Sequence, residues 1–400
     1  MQPTSVLATI TGRDRPGVTA ALFSALAAHD VDVRDVEQVV IRDRLILAVL
    51  LDLRGDPSAL RTSVTRAAHA LGMECEVTIA DSAEAHPPPG HRSRSHVIVL
   101  GRPLRPGALS HIAQSIADVG DNIESVAQLS TEPASAIEMI VRTRDAAVLR
   151  ATLVQTAEEA GVDIAVEPAG LRRRAKRLVV LDVDSTLIRD EAIDLLAQRA
   201  GASQEIAMIT ERAMAGELDF AESLRSRVAL LAGLSRADVE AVRDQLQLTP
   251  GARTFVRTLR RLGFHVGVVS GSFTIFTDRF VAELGLEFAA ANDLEIVDDV
   301  VTGQVVGQIV DRPGKANALR MFADKYGVPM SQTVAVGDGA NDIDMLEAAG
   351  LGIAFNAKAA LRAAADASVN LPFLDTVLFV LGIPREEIEE ADESADGDQG

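Results

Sequence analysis

Carboxylates stand at the ends of apolar runs in this chain. Leu178-Val179-Val180-Leu181 leads directly into Asp182-Val183-Asp184-Ser185-Thr186. Much later, a run over residues 333–336 leads into Gly337-Asp338-Gly339-Ala340-Asn341-Asp342. Between them, Val268-Val269-Ser270-Gly271 closes another apolar run in small hydrogen-bonding residues, and Lys315 follows Pro313-Gly314 at a helix start. Hard oxygen ligands with no histidine or cysteine among them suit Mg²⁺, which takes few protein carboxylates and leaves room for a substrate phosphate. A carboxylate attacks a phosphate dianion only if their repulsion is offset. Mg²⁺ between Asp182 and Asp338, with Lys315 and the donors near Ser270, would offset it. Asp182 is then expected to act as an in-line nucleophile and give an aspartyl-phosphate. Asp184 is placed to protonate the leaving oxygen and then to take a proton from the hydrolytic water. One Asp-x-Asp alone would read as a strand-end cap; the four segments in this order carry the chemistry together.

The elements that must hold these residues follow from the apolar pattern. Residues 178–181, 265–269, 333–336 and 351–354 are near-continuous apolar runs, as expected of parallel strands buried on both faces. Strands alternating with helices imply a doubly wound sheet, which binds ligands at the carboxyl ends of its strands. Residues 191–248 read as helical with no strand, and are expected to form a helical cap over the first strand's end. Residues 385–400 are acidic with little apolar content and are expected to be disordered.

The N-terminal half contains a repeat. Arg15-Pro16-Gly17 recurs as Arg105-Pro106-Gly107, and Val36-Glu37-Gln38 as Val126-Ala127-Gln128, both at a spacing of 90 positions. Each copy reads as a ferredoxin-like βαββαβ unit. The Pro-rich stretch between them, residues 83–94, is expected to be a stiff exposed linker. His86, His91 and His96 lack a supporting acid or cysteine cluster and are expected to be solvated. The basic run at residues 172–177 is expected to be a solvated connector.

Composition narrows the possibilities. Four hundred residues allow two or three domains, and a 48% hydrophobic content supports a large core. One cysteine, Cys75, excludes an intrachain disulfide framework and fits a reducing cytosol. With 58 acidic against 39 basic residues, the net charge of −19 argues against general nucleic-acid binding. No apolar run is long enough for a membrane span, and no secretory leader is evident.

The segments containing Asp182 and Asp184, Ser270-Gly271, Lys315, and Asp338 to Asp342 resemble the four motifs of the haloacid dehalogenase superfamily of phosphatases. More narrowly, residues 182–191 with Met214-Ala215-Gly216 and residues 219–227 resemble the phosphoserine phosphatases. The resemblance implies an α/β doubly wound Rossmann-like core with a small helical cap. It also implies hydrolysis of O-phospho-L-serine to L-serine and phosphate, the last step of serine biosynthesis. The metal ligands would be Asp182, the backbone carbonyl of Asp184, and Asp338, with Asp342 in support. Ser270, Gly271 and Lys315 would hold the phosphate, and Asn341 would contact the substrate side. Glu191 would face the substrate ammonium and Arg227 its carboxylate, while Met214 and Phe220 would wall off water. Many members of that family have a second glycine where this chain has Ser272.

The repeated units are similar to ACT domains. This implies amino-acid binding, with L-serine the expected effector, at turns containing Gly17 and Gly107, and pairing of subunits into a homodimer. Expected limits are 1–82 and 95–169 for these domains, 170–384 for the phosphatase and about 190–250 for its cap. A phosphatase or phosphotransferase acting on another phosphoester or a phosphoprotein, and an amino-acid sensor with an inactive core, stand as alternatives. A receiver-like phosphate acceptor does not account for the cap.

Overall fold

The computed structural model describes residues 3–80, 93–214 and 217–397. The chain divides into two compact units, residues 1–90 and 91–400.

The first unit is one βαββαβ copy. Its strands are β1 (Thr4–Arg13), β2 (Val31–Ile41), β3 (Arg44–Leu53) and β4 (Glu74–Ala80), in the order β2-β3-β1-β4 with every pairing antiparallel. Alternation along β1 turns Val6, Ala8 and Ile10 inward. There they meet Leu22 and Leu26 of the helix Val18–Leu26, and Leu60 and Val64 of the helix Pro57–Ala70. The second helix starts where Pro57 presets the first turn and the Asp56 carboxylate accepts from Ser58 N.

The second unit is built on an eleven-stranded sheet. The other repeat copy supplies β5 (Ser93–Gly101), β6 (Asn122–Ser130), β7 (Ser135–Thr143) and β8 (Asp163–Pro168). The rest are β9 (Leu178–Leu181), β10 (His265–Phe273), β11 (Phe288–Val297), β12 (Val300–Val306), β13 (Thr333–Gly337), β14 (Gly352–Phe355) and β15 (Ala367–Val369). Their order is β12-β11-β10-β9-β13-β14-β15-β8-β5-β7-β6, and β11 through β15 by way of β9 run parallel. All four residues of β9 are 0% exposed, and burying such side chains contributes about 1.5–3 kcal/mol each. Four helices follow β9, Ala192–Ala200, Ser203–Met214, Phe220–Ala229 and Arg236–Gln245, as expected of the cap.

Four features depart from the sequence reading. The second repeat is continuous with the parallel sheet, through an antiparallel bridge between Ala165 of β8 and Ala367 of β15. The β11–β12 hairpin was not anticipated; Asp298 and Asp299 turn it with positive φ, and Gly303 lets it approach the backbone of Ala229. The basic run is not a solvated connector: Arg173 pairs with Glu138 at 2.9 Å and Glu167 at 3.1 Å, and Lys176 donates to the carbonyls of Ser331 and Gly350. His96 is likewise part of β5, with Nδ1 2.9 Å from Glu138, because a strand and not the linker contains it.

The expectation of a disordered tail is also corrected. Residues Arg385–Gly397 form a helix, anchored by buried Ile388, an Arg385–Glu389 pair one turn apart, and Arg385 on Asp375. His86, His91 and most of the expected linker lie outside the described residues. No helix among the described residues is long and apolar enough to cross a membrane.

Candidate active site

Three adjacent parallel strands, β10, β9 and β13, end at one crevice. β9 delivers Asp182, β10 delivers Ser270 and Gly271, and β13 delivers Asp338 one residue beyond its end. Lys315 enters from the helix Arg312–Lys325, whose start is fixed by Pro313 and by the Asp311 carboxylate accepting from Gly314 N.

Lys315 is fully buried, and its Nζ lies 2.7 Å from Asp182 Oδ1 and 2.7 Å from Asp342 Oδ1. Burial opposes its charge, but the two carboxylates more than compensate and raise its pKa above the ordinary lysine value. Asp182 also accepts from Val183 N at 2.8 Å. Its own pKa is raised, by burial first and Asp342 next, with Lys315 pulling the other way. Carboxylate oxygens of Asp182, Asp338 and Asp342 lie within 4.8 Å of one another. Burial, then Asp342 and Glu191, push Asp338 up to about 7. Crowded acids with a single buried lysine between them form a hard-oxygen donor set that fits a divalent cation such as Mg²⁺.

Asp184 sits in the tight π-turn Val183–Leu187, where Ser185 adopts φ of 56°. Its Oδ1 accepts from Ala192 N at 3.0 Å. Burial, reinforced by Glu191, pushes its pKa up to about 7, against the pull of Ala192 N–H, Lys315 and Ser272. A carboxyl of that kind can both give and take a proton near neutrality.

The cap closes over this centre. Glu191 precedes the helix Ala192–Ala200 and accepts from Ser185 Oγ at 2.9 Å. Arg227, half-buried on the helix Phe220–Ala229, donates from Nε to Ser223 O at 3.4 Å; burial lowers its pKa, against the pull of Glu191, Asp194 and Asp184. Phe220 lies against the loop after β10, so that a Cβ on Gly271 would meet its ring at 3.0 Å. Met214 ends the helix Ser203–Met214; its side chain, with Ala215 and Gly216, lies outside the described residues. Asn341 is half-buried beside Gly339 at the mouth of the crevice, where it folds back on the turn.

Sequence reasoning missed several supporting groups. Asn292 of β11 is fully buried, donates from Nδ2 to Gly271 O at 2.8 Å and accepts from Val310 N at 2.8 Å, fixing the loop after β10. Thr186 donates to Asp338 Oδ1 at 3.4 Å, and Thr249 donates to Thr186 O at 2.7 Å. Only Thr186 lay in a motif where proximity could have flagged it.

The two repeat glycines differ. Gly17 has φ of 95° ahead of its helix, whereas Gly107 lies inside the helix Pro106–Asp118 without a positive φ. A left-handed turn is therefore present only at Gly17, because Pro106 starts the second helix two residues earlier relative to the glycine. A Cβ would meet nothing within 4 Å at either position.

Comparison with known proteins agrees with this architecture. Residues 176–350 match the haloacid dehalogenase-like hydrolases, and residues 4–78 and 93–167 each match ACT domain families. The chain is 55% identical over 394 residues to a phosphoserine phosphatase of Mycobacterium tuberculosis, covering 97% of this chain and 95% of the relative. It is 54% identical to a phosphoserine phosphatase of Streptomyces coelicolor, covering 98% and 95%. Among solved structures, an HAD-family hydrolase from Salmonella enterica serovar Typhi superposes with a TM-score of 0.64 at 28% identity, over 72% of this chain and 98% of that one. A probable phosphoserine phosphatase of Vibrio cholerae gives 0.58 at 32% identity, over 74% and 88%. The chain belongs to the phosphoserine phosphatase family, with a haloacid dehalogenase-like hydrolase core preceded by two ACT domains.

Proposed function

We propose that this protein hydrolyses O-phospho-L-serine to L-serine and phosphate through an aspartyl-phosphate on Asp182. The observation that carries this reading is the buried arrangement of Asp182, Lys315 and Asp342, with both Lys315 contacts at 2.7 Å and Asp338 beside them.

Asp182 attacks phosphorus as the bond from phosphorus to the serine oxygen breaks, and Asp184 gives its proton to that leaving oxygen. Asp184 then takes a proton from water. The water oxygen attacks phosphorus, the bond to Asp182 breaks, and phosphate leaves with Asp184 protonated again. Lys315 keeps Asp182 ionised and oriented, while Ser270 and the amides of the Gly271 loop face the transferred group. Asp182, Asp338 and the carbonyl of Asp184 would hold Mg²⁺, supported by Asp342. When bound, the ion neutralises phosphoryl charge during transfer. Asn341 contacts the substrate side of the site. Glu191 receives the substrate ammonium and Arg227 its carboxylate, a pairing suited to a zwitterion, and Phe220 with Met214 excludes water.

The ACT domains, with limits near 1–82 and 95–169, are proposed to sense an amino acid, L-serine first, at the turns of Gly17 and Gly107. A homodimer is proposed as well. The exposed Val33, Val36, Val39, Val40 and Ile41 on the edge strand β2 are compatible with pairing to a second subunit. The single cysteine and a role in serine biosynthesis favour a cytoplasmic location.

The test is phosphate release from O-phospho-L-serine and from p-nitrophenyl phosphate, with Mg²⁺ present. Arg227→Ala should reduce turnover of phosphoserine on the order of a hundredfold, and of the aryl phosphate by less than about threefold. Equal losses on both compounds would contradict the zwitterion pocket.

A further inference from the structure

The ladder between β10 and β11 breaks at the edge of the crevice. Val269 pairs with Ala290, and the next pair is Phe273 with Asn292, so four positions along β10 pass against two along β11. The Gly271 carbonyl falls between the paired positions, where a buried backbone acceptor still needs a donor. Asn292 supplies it from a side chain: Nδ2 donates to Gly271 O at 2.8 Å. The same carboxamide accepts from Val310 N at 2.8 Å through Oδ1. Val310 directly precedes Asp311, whose carboxylate accepts from Gly314 N at 2.8 Å and whose carbonyl accepts from Lys315 N at 2.8 Å. A Cβ on Gly271 would lie 3.9 Å from Val310 O, so the two segments run against each other. Asn292 is 0% exposed, and its side chain makes both bonds away from water.

The two bonds call for a carboxamide. An aspartate has no proton to give the Gly271 carbonyl, and an aliphatic side chain can serve neither partner. One side chain thus joins the backbone that carries Ser270 and Gly271 to the backbone that starts the Lys315 helix. These segments approach the transferred group from two directions, and a misplacement of about 1 Å between such groups lowers rates steeply. We infer that Asn292 is a positioning residue for the phosphoryl site: its carboxamide sets the spacing between the Gly271 loop and Lys315. It touches no reacting atom in this role. The inference rests on the phosphoryl-holding role proposed for Ser270, Gly271 and Lys315, and adds to it the group that fixes their separation.

This role has a signature opposite to that of Arg227, because every substrate of the site shares the phosphoryl group. The experiment compares wild type, Asn292→Asp and Asn292→Ala, each with Mg²⁺ and each checked by thermal denaturation. It reads kcat/KM for O-phospho-L-serine and for p-nitrophenyl phosphate, and the inhibition constant of inorganic phosphate. Both variants should lose about tenfold on both compounds, the effect of one buried carbonyl left without its donor, and should bind inorganic phosphate about tenfold more weakly. A loss confined to phosphoserine would overturn the positioning role and leave the functional reading standing. So would a folded variant whose turnover per folded molecule and phosphate affinity stay within about twofold of wild type. Failure of both variants to fold would overturn the role as well, by making Asn292 a residue of the core alone. A wild-type protein hydrolysing the aryl phosphate but not phosphoserine would overturn the substrate reading, while the aryl phosphate and inorganic phosphate still decide the role of Asn292.

Discussion

The second unit contains two clusters of charged and polar groups that obey opposite rules. At the seam between the second repeat and the catalytic sheet, each acid has its partners. Asp163 accepts from Asn370 N at 2.7 Å and Nδ2 at 2.6 Å, while Asp366 takes Arg150 at 2.7 Å and Gly352 N at 2.9 Å. In the crevice, Asp182, Asp338 and Asp342 crowd beside one buried lysine with Asp184 nearby, and burial, then the neighbouring Asp342, raises the pKa values of Asp182 and Asp338. Saturated hydrogen bonding stabilises a joint; uncompensated charge prepares a site for a cation and a reacting group. The seam is partly open to solvent, with Asn370 exposed, whereas Asp182, Asp342 and Lys315 of the crevice are buried.

That contrast can be broken by experiment. Removing divalent cations with a chelator should abolish phosphoserine hydrolysis, and Mg²⁺ should restore it and raise the thermal midpoint in proportion to its binding. Unchanged turnover after chelation would show that the crevice acids need no cation. Next in size, Lys315→Ala should lower kcat on the order of a hundredfold or more and destabilise the fold by about 3 kcal/mol, measured by denaturant titration. Full activity in that variant would remove the crevice's distinction. The smallest effect belongs to the seam. Asn370→Ala should reduce stability by about 2 kcal/mol while turnover per folded molecule stays within about twofold, with no change in Mg²⁺ dependence. Loss of turnover without loss of stability would join the two clusters into one functional network.

The crevice was legible in the sequence because its chemistry is local to strand ends. An apolar run marks the strand, and the next residue is the acid, as at Leu181-Asp182 and again just after Gly337. Lys315 could be placed from Pro313-Gly314 for the same reason. The seam was not legible, since Asp163 and Asn370 meet across 207 positions and the strands share one bridged pair, Ala165 with Ala367. Asn292 was missed because it acts through the backbone of a distant loop. The hairpin turn at Asp298-Asp299 carried a weak local signal, an acidic pair between alternating apolar residues, that was passed over. At the C-terminus, charge composition suggested disorder, but Ile388 supplies one buried anchor and Arg257 and Arg261 both meet Asp392.

The most direct measurement is the initial rate of phosphate release from O-phospho-L-serine by Asp182→Asn, taken with Mg²⁺ beside its thermal denaturation curve. The account predicts a fall of at least about a thousandfold with the fold retained, since the amide cannot accept the phosphoryl group. A variant that melts like the wild type and releases phosphate within about tenfold of its rate would contradict the account at its centre.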